Sequence, residues 1–333
     1  MPAQVTPPAA SMRAARVTQL GEPPVVRDVP RPVAHSHQAL IQVTAAALNP
    51  VTLATASGVF YGGHPQIPYI PGTEGAGIVV QGTSLAPGTR VRFEASEQVG
   101  GALAEFCAAS EAECVDLPAG LGDDLAAGLG VAGLAAWLAL RDAVQLQPRE
   151  RVLILGATGA VGQIAIQSAR IMGAGRVVAA GRDRQALEHC LTLGADAIVA
   201  MTDAQTDQEL ALAFTEAAQG PLEVVFDPVF GLPSRAASQA CGLRARLVNL
   251  GQSAGAEATY RSRDIRGKLL TIVGHSNRAV AVEVRNAAFR ELAEHAASGR
   301  IQLGVEAFPL TEVALAWARQ QQSPHGKVVV KPR

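Results

Sequence analysis

The chain has 333 residues, 48% of them apolar and 17% charged, with a formal net charge of −1. That length exceeds one ordinary hydrophobic core and predicts two domains, and the composition excludes a disordered chain. The balanced charge shows neither the basic stripe of a nucleic-acid binder nor a polybasic segment for a membrane surface.

In chain order, residues 1–11 (MPAQVTPPAAS) are small and proline-rich and read as a disordered tail. They lack the cationic start and apolar core of a signal peptide. Residues 12–123 read as short β-rich pieces, with strands over 39–48 and 75–80 and turn-rich stretches PGTEGAG (71–77) and LAPGTRV (85–91) between such runs. A long apolar helix is expected over 124–143; its uncharged core, residues 125–140, falls short of the ~20 residues that span a bilayer and reads as a buried helix. Strand and helix then alternate. Strands are expected at 151–155, 176–180, 197–200, 222–226 and 246–250, with helices at 159–173, 183–193, 206–218 and 232–242. This alternation predicts a parallel sheet covered on both faces. Two helices, 280–298 and 311–321, and a strand, 326–332, close the chain. The four cysteines, Cys107, Cys114, Cys190 and Cys241, form no CxxC pair and no disulfide framework, so a cytoplasmic location is expected.

The most informative stretch is VLILGATGAVGQIAIQSAR (152–170), in which Gly156, Gly159 and Gly162 form GxxGxxG between an apolar strand and an amphipathic helix. A strand follows about 20 residues later, which completes a βαβ unit with the turn where a dinucleotide would sit. Glycines there let a pyrophosphate approach the backbone amides, and the helix N-terminus adds N–H donors and partial positive charge. The second strand ends in GRDR, with Gly181 and then Arg182 where an NAD site places an acid for the ribose hydroxyl. A guanidinium suits a 2′-phosphate, so the expected cofactor is NADPH, with Arg182 the main contact and Arg184 a second. Asp183 is either the N-cap of the next helix or a ribose ligand.

The chain resembles the zinc-independent medium-chain dehydrogenase/reductase superfamily, in its quinone oxidoreductase (ζ-crystallin-like) branch. The motifs are ALNP (47–50), PYIPGTEGAGIV (68–79), GLAAWLAL (133–140), LILGATGAVG (153–162), VVFDPVFG (224–231), RLVNLGQSAG (246–255) and HGKVVVKP (325–332). The resemblance implies an α/β fold: a doubly wound Rossmann parallel sheet at 124–275, and a β-rich GroES-like catalytic domain at 12–123 completed by 276–333. It implies cofactor contacts at Gly156, Thr158, Gly159, Ala160, Val161, Gly181, Arg182, Arg184, Leu250, Gly251, His275 and Lys327. It also implies a homodimer or homotetramer paired through the nucleotide domain, with 268–274 as the edge strand.

No metal is expected. Where zinc-dependent members of the superfamily carry Cys and His ligands this chain has Asn49 and Thr73, and no Cys, Asp or Glu falls between Leu125 and Leu140. Catalysis would then rest on donors to the carbonyl oxygen that gains charge. Asn49 and Tyr61 are the candidates, with Phe60 an alternative occupant of the Tyr61 position. His64 shares that loop. Thr52 and Ala135 depart from the family pattern of Asp and Thr. The expected function is NADPH-dependent reduction of a quinone or α,β-unsaturated carbonyl. The alternatives are an enoyl-thioester reductase of lipid or polyketide metabolism, or a cofactor-binding protein with little turnover.

Overall fold

The computed structural model describes residues 10–333. Ser11 already belongs to strand β1 (Ser11–Arg16), inside the segment read as a tail; residues 1–9 of that reading lie outside the described residues. The chain continues through β2 (Val25–Pro30), β3 (Gln38–Ala47), α1 (Pro50–Ala56), β4 (Glu74–Gln81), β5 (Arg90–Glu94), β6 (Phe106–Ser110) and β7 (Cys114–Asp116). The apolar helix α2 (Asp123–Leu138) runs on as a π-helical turn to Ala143. It is long and apolar enough to cross a membrane, yet 72% of its apolar window is buried inside the protein, as for a core helix. The alternating region follows as β8 (Arg151–Ile154), α3 (Ala160–Ile171), β9 (Arg176–Gly181), α4 (Arg184–Thr192), β10 (Ala197–Ala200), α5 (Asp207–Ala218), β11 (Leu222–Asp227), α6 (Gly231–Ala240), β12 (Cys241–Asn249), α7 (Ser262–Lys268) and β13 (Thr271–Gly274). The chain ends with α8 (Val282–Ala297), β14 (Val305–Pro309), α9 (Val313–Gln321) and β15 (Lys327–Lys331).

Two compact units result: the chain up to Gly130 together with Val305–Arg333, and Val131–Gly304. Both junctions fall later than the expected 123/124 and 275/276. Side chains account for the shift. The start of α2 is tied to the first unit by Arg90–Asp123 (2.5 Å) and Lys331–Asp124 (3.1 Å). Helix α8 is tied to the second by Glu291, which accepts from Trp137 Nε1 (2.9 Å) and Arg141 (2.7 Å).

In the first unit the large sheet has the order β14-β15-β3-β4-β5-β7, with β6 also on β3. All pairs are antiparallel except β14 with β15. The C-terminal strand β15 therefore completes a sheet begun near the N-terminus, Val329 standing opposite Ala47. Its core includes Ile41, Val43, Leu48, Phe93, Trp317 and Val328.

The second unit is a six-stranded parallel sheet ordered β10-β9-β8-β11-β12-β13. Helices cover both faces, so β8 and β9 carry apolar runs (VLI and VVAA), and β11 carries VVF, rather than alternation. Local chemistry sets the helix starts. Asp183 accepts from Ala186 N (3.0 Å) to cap α4, and Thr206 with Glu209 closes a full capping box on α5. Elements α1, α7 and β14, each seven residues or fewer, were not foreseen: α1 begins with proline, α7 is largely polar, and β14 lacks alternation.

Candidate cofactor site and a buried polar network

The chain starts its parallel sheet at β8 and winds outward in both directions, so the switch point lies between β8 and β11, at their carboxyl ends. The glycine turn sits there. Gly156 has φ +59°, and a side chain on it would press on Val229 Cγ1. At Gly162 a Cβ would run into the Gly156 carbonyl and Ala157 Cα, so α3 approaches the turn this closely only because residue 162 is glycine. The N-cap of α3 is Gly159, with no side chain bonded to the first-turn amides. Thr158, Gly159, Ala160 and Val161 are all partly exposed. Free amides at the start of a three-turn helix fit a pyrophosphate.

The remaining cofactor candidates in this unit line the same edge. Gly181 ends β9, where a Cβ would meet Thr158 at 3.2 Å. Arg182 and Arg184 follow it, both exposed; Arg184 also pairs with Glu188 at 3.8 Å. Asp183 serves as the α4 N-cap. Leu250 donates its N–H to the Asp227 carbonyl (3.0 Å), and Gly251 packs against the Pro228 carbonyl. His275 donates its backbone N–H to Asn249 (2.8 Å) and its Nε2 lies 3.0 Å from Asn277 Oδ1; burial holds its imidazole below the usual range.

A feature of this edge that the sequence reading passed over is the turn after β11. Asp227 is buried, and its Oδ1 accepts from Val229 N (3.0 Å) and Phe230 N (2.7 Å). Burial raises the Asp227 carboxyl above its ordinary range. Phe230 has φ +59° and ψ −157°, a region populated almost only by glycine and costing about 1–3 kcal/mol elsewhere. Its ring lies 6.3 Å from that of Tyr260, edge to face, and the Tyr260 hydroxyl is 2.8 Å from Ser234 Oγ. Sequence offered no signal for this beyond the turn-forming string DPVFG.

In the first unit the structure gathers Asn49, Glu74, Arg92 and Lys327 into one buried network. Asn49 Nδ2 donates to Glu74 Oε1 (2.7 Å), and Lys327 Nζ donates to Asn49 Oδ1 (2.5 Å) and lies 3.4 Å from Glu74 Oε1. These partners fix which way the amide points. Arg92 stands 3.8 Å from Glu74 and 3.7 Å from Glu94. Gly130 completes the arrangement, because a Cβ there would strike Glu74 Oε2 and Arg92. Lys327 is 3% and Asn49 2% exposed. Lys327, expected on the cofactor, is thus committed to Asn49 and Glu74. Burial lowers its ammonium pKa against the opposing pull of Glu74. Asn49, expected to bind substrate, has both ends of its amide engaged within the fold. Arg92 was missed because β5 reads RVRFE, which suggests outward charges, whereas its three middle residues are all buried. Tyr61 is 88% exposed and leans on Phe60, 4.5 Å away, so its hydroxyl stands in the open rather than in a dry site. His64 lies 2.8 Å from the neighbouring Pro65 carbonyl.

Two family models match the chain: the alcohol dehydrogenase GroES-like domain over residues 35–136, and the zinc-binding dehydrogenase domain over 160–297. The residues present do not fit a zinc ion. Zinc needs three or four converging N, S or O ligands, whereas Asn49 is held by an ammonium. No group of three or more His, Cys, Asp or Glu is placed to hold a metal among the described residues. The chain is 36% identical to the quinone oxidoreductase of Pongo abelii over 167 residues, 49% of this chain and 50% of that protein. It thus spans about half the length of this relative. It is 27% identical to a chloroplast envelope quinone oxidoreductase homolog of Arabidopsis thaliana, over 91% of this chain and 92% of that one. Among solved structures, a probable oxidoreductase from Mycobacterium abscessus superposes with a TM-score of 0.85 at 25% identity, covering 97% of this chain and 99% of that one.

Proposed function

The chain belongs to the medium-chain dehydrogenase/reductase superfamily, in its quinone oxidoreductase branch, and from that premise we propose that it is an NADPH-dependent reductase of quinones or α,β-unsaturated carbonyls. The observation that carries the reading is the carboxyl edge of the parallel sheet. There the open glycine turn, the uncapped start of α3 and the exposed Arg182 stand together.

NADPH, when bound, supplies the hydride that reduces the acceptor. Everything else falls to the chain. The first-turn amides of α3 hold the pyrophosphate, and Gly162 lets them stand where the turn needs them. Arg182 takes the 2′-phosphate through charge-assisted hydrogen bonds, with Arg184 adding positive charge at the same edge. Asp183 caps α4 and leaves the phosphate to the arginines. Leu250, Gly251 and His275 form the far side of the edge, where burial holds the His275 imidazole below its usual range. Asn49 is positioned by Glu74 and Lys327, which present its amide in one orientation without side-chain freedom. The proton that completes the reduction comes from water, because the Tyr61 hydroxyl is itself solvated. The protein acts in the cytoplasm, as a dimer or tetramer.

The test is NADPH oxidation by purified protein against a benzoquinone, an ortho-quinone, a cyclic enone and a crotonyl thioester, with NADH and a chelator as parallel arms. Turnover of a quinone or enone with NADPH, undiminished by chelator, supports the reading. Preference for the thioester moves the assignment to enoyl reduction. Tight NADPH binding without turnover of any acceptor moves it to a cofactor-binding role.

A further inference from the structure

The turn after β11 contains a residue that local energetics disfavours. Phe230 adopts φ +59° and ψ −157°, where a side chain clashes with its own backbone and glycine alone is comfortable. Such a conformation persists only when its surroundings impose it. Here the buried Asp227 carboxylate binds the Val229 and Phe230 amides, the Val229 carbonyl accepts from Ala254 N (2.7 Å), and Gly231 is packed against the Ala254 carbonyl. The next residue, Gly231, is also left-handed, with φ +65°. The turn is therefore clamped from both sides.

The clamp holds an aromatic ring at the switch point of the sheet. Val229, the neighbour of Phe230, is the side chain that a Cβ on Gly156 would strike, so this turn borders the glycine turn directly. The Phe230 ring is only partly buried, and Tyr260 braces it edge to face while being fixed itself through Ser234 on α6. Tyr260 belongs to the segment that follows β12, which also contributes Leu250 and Gly251 to the edge. A glycine at position 230 would form this turn without strain. The sequence instead keeps a ring there, rigidly braced and partly open.

We propose that Phe230 is a specificity-determining residue, whose ring, braced by Tyr260, gives planar ring-shaped acceptors an apolar face beside the cofactor edge and favours them over open-chain acceptors. A flat conjugated ring gains from offset or edge-on contact with such a surface. A flexible chain cannot match that contact and loses more freedom in making it. The inference rests on the reductase reading, which names the acceptor class.

The experiment compares wild type with F230G, F230L and F230Y. The readouts are kcat/KM for a naphthoquinone and for an open-chain enone, equilibrium binding of the naphthoquinone to the NADP-loaded protein, and the melting temperature. The ratio of the two kcat/KM values is expected to fall at least tenfold in F230G and severalfold in F230L, and to return to within threefold of wild type in F230Y. F230G is expected to melt no lower than F230L, since glycine relieves the backbone that leucine must still strain. NADPH affinity, measured in parallel, separates loss of an acceptor wall from loss of the fold. An unchanged ratio in F230G overturns the proposal, as does an equal loss for both acceptors. If wild type binds the naphthoquinone but reduces nothing, the reductase reading fails, while the binding loss in F230G still decides the role of the ring. If wild type neither binds nor reduces it, both fall.

Discussion

In the proposed reading, Arg182 carries the choice of phosphate at the cofactor edge. It directly follows the buried Gly181 at the end of β9, and Asp183 beside it is occupied as a helix cap. A guanidinium–phosphate contact is worth about 1.5–3 kcal/mol, so R182A is expected to raise KM for NADPH roughly tenfold or more and to leave KM for NADH nearly unmoved. Steady-state kinetics with both cofactors reads this directly; parallel losses with both would remove Arg182 from the phosphate. Position 182 was legible in the sequence because a strand end and an arginine suffice to place it. The Asn49 network was only half legible. The string ALNP marked Asn49, but nothing local shows that Lys327, 278 residues away, binds its amide oxygen. Breaking a buried charge pair leaves its partner uncompensated and costs about 3–5 kcal/mol. K327M should therefore lower the urea midpoint sharply, whereas an exposed variant such as K331M should shift it little. Equal small shifts would mean the network carries no stability. Tyr61, solvated as it is, is expected to lose less than threefold in kcat as Y61F; a hundredfold loss would make it the proton donor.

At the scale of elements, α3 depends on Gly162 for its seat on the glycine turn. G162A adds only a methyl, yet that methyl meets backbone on the turn rather than a movable side chain. Overpacking of this kind costs about 1–3 kcal/mol, and here it also displaces the amides proposed to hold the pyrophosphate. The variant should melt lower and bind NADPH more weakly, measured by calorimetry and by titration. A lower melting temperature with intact NADPH affinity would detach the helix start from cofactor binding. The strands and helices of the parallel sheet were readable because their periods are strong and their caps are local. Phe230 was not, because beside the local Asp227 its strain is imposed by Ala254 and Gly255, which reach the turn only once β11 and β12 lie side by side. A pH effect belongs to this scale too. Burial lowers the imidazoles of His275 and His295 relative to the unfolded value of 6.5. The unfolded chain then takes up protons first, so stability is full above about pH 6.5 and is lost as pH falls toward the folded values. Urea midpoints should decline from pH 7.5 to 5.5, and less steeply in H275N; a flat profile would contradict the burial of these rings. Asp227, raised rather than lowered, acts in the opposite sense, its contribution being lost as pH rises above the unfolded 3.8.

At the scale of the whole molecule, the parallel sheet ends in β13, whose residues are largely exposed. Ile272 and Leu269 stand open beside this edge. An uncovered edge strand with apolar residues invites pairing with a second copy, so the protein is expected to be a dimer or tetramer in light scattering and I272K to shift it toward monomer. A monomeric wild type would end that expectation. The change of grammar near residue 124 predicts a division of the chain, and the two compact units divide at 130/131 and 304/305. The junctions were not, because they follow Glu291 and Asp124, whose partners lie far away in sequence. The proposed function rests on hydride delivery at the switch point, and a single turnover tests it most directly. Protein loaded with one equivalent of NADPH is mixed with excess naphthoquinone in the presence of a chelator, and nicotinamide oxidation and hydroquinone formation are followed together. The reductase reading requires the two to proceed at one rate and in one-to-one yield. Bound NADPH that persists while the naphthoquinone, and then the cyclic enone, stay unreduced would contradict it.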